Sequence, residues 1–131
     1  MLRMNSALSA DDDLVIGEVI AAALELHRAL GPGYLESIYR RGMLVELQKR
    51  RLDVETEKIV EVWYRGELLG THRVDLIVQG LVVVELKAVE RLEPVHRNQM
   101  VASLKSTKLR AGLLINFNTA LLKQGLRRVV L

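Results

Sequence analysis

Three charged residues stand in an otherwise aliphatic stretch, VDLIVQGLVVVELK at positions 74–87: Asp75, Glu85 and Lys87. Residues 74–78 and 81–86 flank one turn signal, Gln79-Gly80, so the stretch reads as a β-hairpin. A two-residue loop would pair Val78 with Leu81 and put Asp75 on the same face as Val82, Val84 and Leu86. A three-residue loop, Gln79-Gly80-Leu81 with Gly80 at positive φ, pairs Val78 with Val82 and Asp75 with Glu85. One face is then Val74, Leu76, Val78, Val82, Val84 and Leu86, and the other Arg73, Asp75, Ile77, Val83, Glu85 and Lys87. A slip of one residue would mix the two sets, so the apolar pattern predicts this register.

Carboxylates opposed across a sheet stand about 5 Å apart and repel, so a cation must compensate. Lys87 is one candidate. A divalent ion is another, because Mg²⁺ is commonly bound by one or two carboxylates plus water and substrate phosphate. That combination points to metal-assisted phosphodiester chemistry. The same spacing also arises from solvated strand charges or a structural ion pair. Ile77 and Val83 argue for a site, since carboxylates on a partly covered face need a reason to be there.

Other elements must position this hairpin. Ser9 and Asp12 have capping-box spacing, and the acids at 11–13 suit a helix N-terminus. Ile16, Val19, Ile20, Ala23, Leu26 and Leu30 continue a helical stripe, with His27 beside it as a packed residue, until Gly31-Pro32-Gly33 stops it. A second helix is predicted from about Tyr34, with Glu36 in its first turn, Tyr39 three residues later, and a basic end at Lys49-Arg50-Arg51. Residues 54–64 alternate as a strand, with Val60, Val62 and Tyr64 on one face and Glu57, Glu61 and Trp63 on the wetter one. Pro94 opens a third helix that runs to about Thr107. Gln99 on that helix can face the charged side of the sheet or water, and water is the commoner outcome. Leu113-Leu114-Ile115 is a strand reached through a helix, hence parallel, and residues 126–131 form a last strand. The predicted class is α/β, a mixed central sheet flanked by helices on both faces.

Composition bounds the function. With 131 residues, 50% hydrophobic and 27% charged, the chain is expected to form one domain over 1–131, with 1–10 a loose N-terminal segment. It has no cysteine, which excludes disulfides and thiolate chemistry and fits a cytoplasmic location. No apolar run has membrane-spanning length, and the N-terminus lacks a signal-peptide core, so no membrane partner is expected. A net charge of +3 permits an anionic partner, while 4% aromatics argues against a base-stacking platform.

Gly33-Tyr34-Leu35-Glu36-Ser37-Ile38-Tyr39 has the form GxxExxY. Together with VDLIVQGLVVVELKAVE and GLLINFN, it makes the chain from about Asp13 onward closely resemble the GxxExxY protein family of the PD-(D/E)XK nuclease superfamily. The resemblance implies a restriction-endonuclease-like core of helix, three antiparallel strands, helix and strand. It implies a Mg²⁺- or Mn²⁺-dependent nuclease site, with Asp75 and Glu85 as metal-binding carboxylates and Lys87 orienting the attacking water. Glu36 matches an accessory helical carboxylate that joins the metal site, and Gln99 a glutamine on the helix after the ExK strand. The tyrosine four residues after that glutamine in QxxxY motifs is Ser103 here, which implies altered substrate contact. The implied partner is nucleic acid, DNA ahead of RNA, with a homodimer or a protein partner supplying specificity. A non-catalytic nucleic-acid-binding or scaffold module on the same fold is the alternative. A third possibility, an interaction partner in a larger assembly, would show as an apolar patch on the strand at 126–131.

Overall fold

The computed structural model describes residues 8–131. Helix α1 (Ala10–Leu30) and helix α2 (Glu36–Lys49) precede strands β1 (Val54–Tyr64), β2 (Glu67–Val78) and β3 (Val82–Lys87). Helix α3 (Pro94–Thr107), strand β4 (Ala111–Asn116), a 3₁₀ turn and strand β5 (Leu126–Val130) complete the chain. The five strands lie side by side in chain order. β1, β2 and β3 are antiparallel, β4 runs parallel to β3 through the α3 crossover, and β5 is antiparallel to β4. This is the mixed α/β architecture that the sequence predicts.

The capping box forms as expected: Ser9 Oγ accepts the Asp12 N–H at 3.0 Å and Asp12 Oδ2 the Ser9 N–H at 3.3 Å. Of the segment expected to be loose, residues 1–7 lie outside the described residues, whereas Ser9 and Ala10 belong to the cap and first turn of α1. The second helix starts at Glu36, two residues later than predicted, because the chain bends at Tyr34 and Leu35 is extended.

Two apolar layers sandwich the sheet. On one side Ile16, Val19, Met43 and Leu47 of α1 and α2 pack with Leu76, Val78, Val82, Val84 and Leu86. On the other, Met100 and Leu104 of α3 pack with Ile77, Val83, Leu114 and Val129. Each fully buried aliphatic side chain contributes about 1.5–3 kcal/mol, so the hairpin is gripped from both faces. Gly112 lets α3 come close: a Cβ there would stand 2.5 Å from Met100 Sδ.

The hairpin register is the predicted one, Val78↔Val82, Ile77↔Val83 and Leu76↔Val84. Gln79 as well as Gly80 takes positive φ, at 56° and 65°. Gln79 is held there by two hydrogen bonds to Asp53, whose carbonyl accepts the Gln79 N–H at 2.7 Å and whose N–H donates to Gln79 Oε1 at 2.5 Å.

Strict alternation misplaces two groups of residues. Val74 was predicted beside Leu76, yet it packs with Val60 and Ile77 on the α3 side. The change of face falls where Glu57 takes φ 48° and its carboxylate pairs with Arg73 at 3.2 Å. In β1 only Val60 is buried. Val62 and Tyr64 are exposed like Trp63, because this end of the β1–β2 ribbon extends past the last β2–β3 pair and the register shifts at Val62/Trp63. The edge strand β5 exposes Arg127 and Arg128 while burying Val129, and Leu131 beyond it is exposed, which is not the apolar patch of the assembly-partner reading.

Candidate active site

The β2–β3 ladder runs through Leu76↔Val84, and at the next position a side chain takes over from the backbone. Asp75 Oδ2 accepts the Leu86 N–H at 2.9 Å. Asp75 is only 9% exposed, so this charge-assisted bond fixes its carboxylate inside the sheet margin. The predicted pairing of Asp75 with Glu85 thus becomes a side-chain-bridged margin, and the two carboxylates still act on each other. Burial, and then the Asp75 charge, push the Glu85 carboxyl from 4.5 up to about 7, against the lowering effects of Lys87, the Asp75 backbone amide and Ser103. An anion at Glu85 is therefore under-compensated in the ion-free protein.

Helix α3 lies over this margin. Gln99 Oε1 accepts from Lys87 Nζ at 3.3 Å, and Ser103 Oγ donates to Glu85 Oε2 at 3.4 Å. Gln99 stays exposed to water, yet its Oε1 also meets Lys87 on the charged side of the sheet, because Met100 and Leu104 seat the helix on the sheet beside it. Asn116 steadies the exit from β3. Its buried amide accepts the Val89 N–H at 3.0 Å and donates to the Val89 carbonyl at 2.9 Å, while the Phe117 N–H bonds the Lys87 carbonyl at 2.9 Å.

Glu36 is delivered by Tyr39. The Tyr39 hydroxyl donates to the Gly31 carbonyl at 2.6 Å and accepts the Tyr34 N–H at 3.2 Å. Its fully buried ring stacks on Phe117 at 4.5 Å. The tyrosine of the GxxExxY stretch therefore locks the turn that starts α2 and sets where Glu36 projects. Tyr39→Phe leaves two backbone groups without their partner, and the expected cost is about 1–3 kcal/mol, read as a lower midpoint in urea denaturation.

All five residues singled out in the sequence, Glu36, Asp75, Glu85, Lys87 and Gln99, line one cleft of about 400 Å³, together with Ser103, His72 and Arg73. Size alone does not select it, for a hollow of about 390 Å³ beside His27 and Pro32 has no carboxylate in its lining. Sequence reasoning missed Arg40. Its Nη2 stands 3.6 Å from Glu36 Oε2 and its Nε 3.7 Å from Asp75 Oδ1. The signal was there in the i,i+4 spacing of Glu36 and Arg40 and in the need for a cation near Asp75. Ser103 was read only as a lost tyrosine, whereas its hydroxyl reaches Glu85.

Among the described residues, no three Asp, Glu, His or Cys side chains converge as a ready-made metal cage. The donors that do meet fit a hard divalent ion. Asp75 and Glu85 offer only oxygen, Glu85 lacks sufficient counter-charge, and the cleft leaves room for water and a phosphate.

No helix among the described residues is long and apolar enough to cross a membrane. The family model of the PD-(D/E)XK nuclease superfamily matches residues 13–129, which take in most of α1, all of α2, the hairpin and α3, and nearly all of β5. Neither a curated protein nor a solved structure matches the chain. A five-stranded mixed sheet covered by α1 and α2 on one face and α3 on the other is consistent with the restriction-endonuclease-like fold. With the match spanning almost the whole sequence, the chain belongs to the PD-(D/E)XK nuclease superfamily.

Proposed function

We infer that this protein is a divalent-metal-dependent nuclease of the GxxExxY group that hydrolyses phosphodiester bonds of nucleic acid, DNA in preference to RNA. The observation that carries the reading is the meeting of Asp75, Glu85 and Lys87 in one cleft where the Glu85 carboxyl is raised to about 7. A carboxyl raised by burial and a second carboxylate, in a cleft, carries a physical rationale for a functional site. Asp75 and Glu85 are the residues that would hold Mg²⁺ or Mn²⁺, with Glu36 contributing from the head of α2. When bound, the ion supplies positive charge to a phosphoryl oxygen and makes water a better nucleophile.

The chain's own residues do the rest. Lys87, anchored by Gln99, donates from Nζ to the oxygen of the attacking water and offsets charge that builds on the phosphoryl group. Ser103 fixes one oxygen of Glu85, and the Leu86 amide fixes one of Asp75. Attack on phosphorus forms one P–O bond, breaks the bond to the leaving sugar oxygen, and leaves a phosphate monoester and a hydroxyl. None of the named residues reads bases, so little sequence specificity is expected.

The test incubates labelled single- and double-stranded DNA and single-stranded RNA with Mn²⁺ or Mg²⁺. Wild type is expected to cut, and both chelation and Lys87→Ala to stop cutting, the variant losing about 10²–10³-fold in rate. Nucleic-acid binding without cutting, equal in wild type and Lys87→Ala, would instead identify a scaffold module.

A further inference from the structure

The Arg40 side chain is mostly enclosed, 19% exposed, and bridges Glu36 and Asp75 without hydrogen-bonding to either: the contacts are 3.6 and 3.7 Å. Its buried Nε has no hydrogen-bond partner. A buried guanidinium meant only to hold the fold is normally satisfied by short, in-plane bonds to its carboxylates. Here the charge is in place but the bonds are not. The two carboxylates it spans belong to α2 and β2, on either side of the same cleft.

We propose that Arg40 is a tethered cation that neutralises Asp75 and Glu36 while the cleft holds no metal, and that an entering divalent ion displaces it. The proposal rests on the reading of Asp75 and Glu36 as metal-facing carboxylates. It makes Arg40 a positioning residue that keeps the acidic cleft assembled and weakens metal binding. Mg²⁺ needs carboxylate oxygens at 2.0–2.1 Å in near-octahedral order, and a guanidinium bridging the same carboxylates stands against that charge and geometry. Removing one positive charge beside a divalent ion in a partly buried site strengthens its binding, and a shift of about 1.4 kcal/mol is a tenfold change.

Calorimetric titration with Mn²⁺ alone, at fixed pH and ionic strength, tests this on the full chain. Arg40→Gln is expected to bind Mn²⁺ roughly tenfold more tightly than wild type. Its ion-free melting temperature is expected to fall and to rise further than that of wild type when Mn²⁺ is added. Arg40→Lys keeps the charge but cannot span both carboxylates, so its affinity should lie between the two, which keeps the test decisive if Arg40→Gln does not fold. Affinity equal to or weaker than wild type in a folded variant, with wild type binding normally, overturns the role of Arg40 and leaves the metal site standing. Absence of Mn²⁺ binding in wild type and both variants, with an uncleavable duplex present as well as without it, overturns the metal-site reading and this proposal with it.

Discussion

Asp75→Asn is expected to lower phosphodiester hydrolysis by at least about 10³-fold in single-turnover cleavage with Mn²⁺, while the protein stays folded. One side-chain oxygen remains after the substitution and can keep the 2.9 Å bond from the Leu86 N–H, so the sheet margin survives. The other position becomes an NH₂ group directed at the Arg40 guanidinium, donor against donor, where Asp75 Oδ1 now stands 3.7 Å from Arg40 Nε. The negative charge that would hold the ion is gone. Activity within tenfold of wild type would mean that the reaction does not depend on Asp75.

Glu85→Gln is expected to act on stability in a strongly pH-dependent way. The Glu85 carboxyl is raised in the folded protein from 4.5 to about 7, chiefly by burial and next by the Asp75 charge. The neutral form is thus the one that suits the fold. Below pH 4.5 Glu85 is protonated in folded and unfolded chains alike, and its contribution is fully present. As pH rises through 7 the folded protein must give up a proton that the unfolded chain has already lost, and the contribution disappears. In metal-free buffer the glutamine variant should be more stable than wild type by roughly 3 kcal/mol at pH 8, and nearly equal to it at about pH 4. Urea denaturation at the two values measures the gap. A variant less stable than wild type at pH 8 would show that the Glu85 charge is compensated within the fold.

The hairpin was legible because its constraints are local. Alternating valines and leucines admit one register, and that register carries Asp75, Glu85 and Lys87 to one margin. The helices were legible from periodicity and from Ser9, Pro94 and the Gly31-Pro32-Gly33 break. What escaped depended on contacts distant in sequence. Gln99 reaches Lys87 while staying exposed, because Met100 and Leu104 find Ile77, Val83 and Leu114 beneath them. Val74 changes face at a kink opposite Glu57 that no propensity marks. Arg40 gains its meaning only when the fold brings Asp75, on β2, within 3.7 Å of it. Tyr39 is placed by sequence spacing alone, and the bonds of its hydroxyl, which tie the turn ahead of Glu36 in place, have no local signal.

The most direct test is a calorimetric Mn²⁺ titration of wild type beside Asp75→Asn and Glu85→Gln at pH 8, where Glu85 is ionised, repeated with an uncleavable duplex present. Saturable binding in wild type that both variants lose is the predicted result. Binding that persists unchanged in both variants, or no binding by wild type even with the duplex, would contradict a metal site at Asp75 and Glu85.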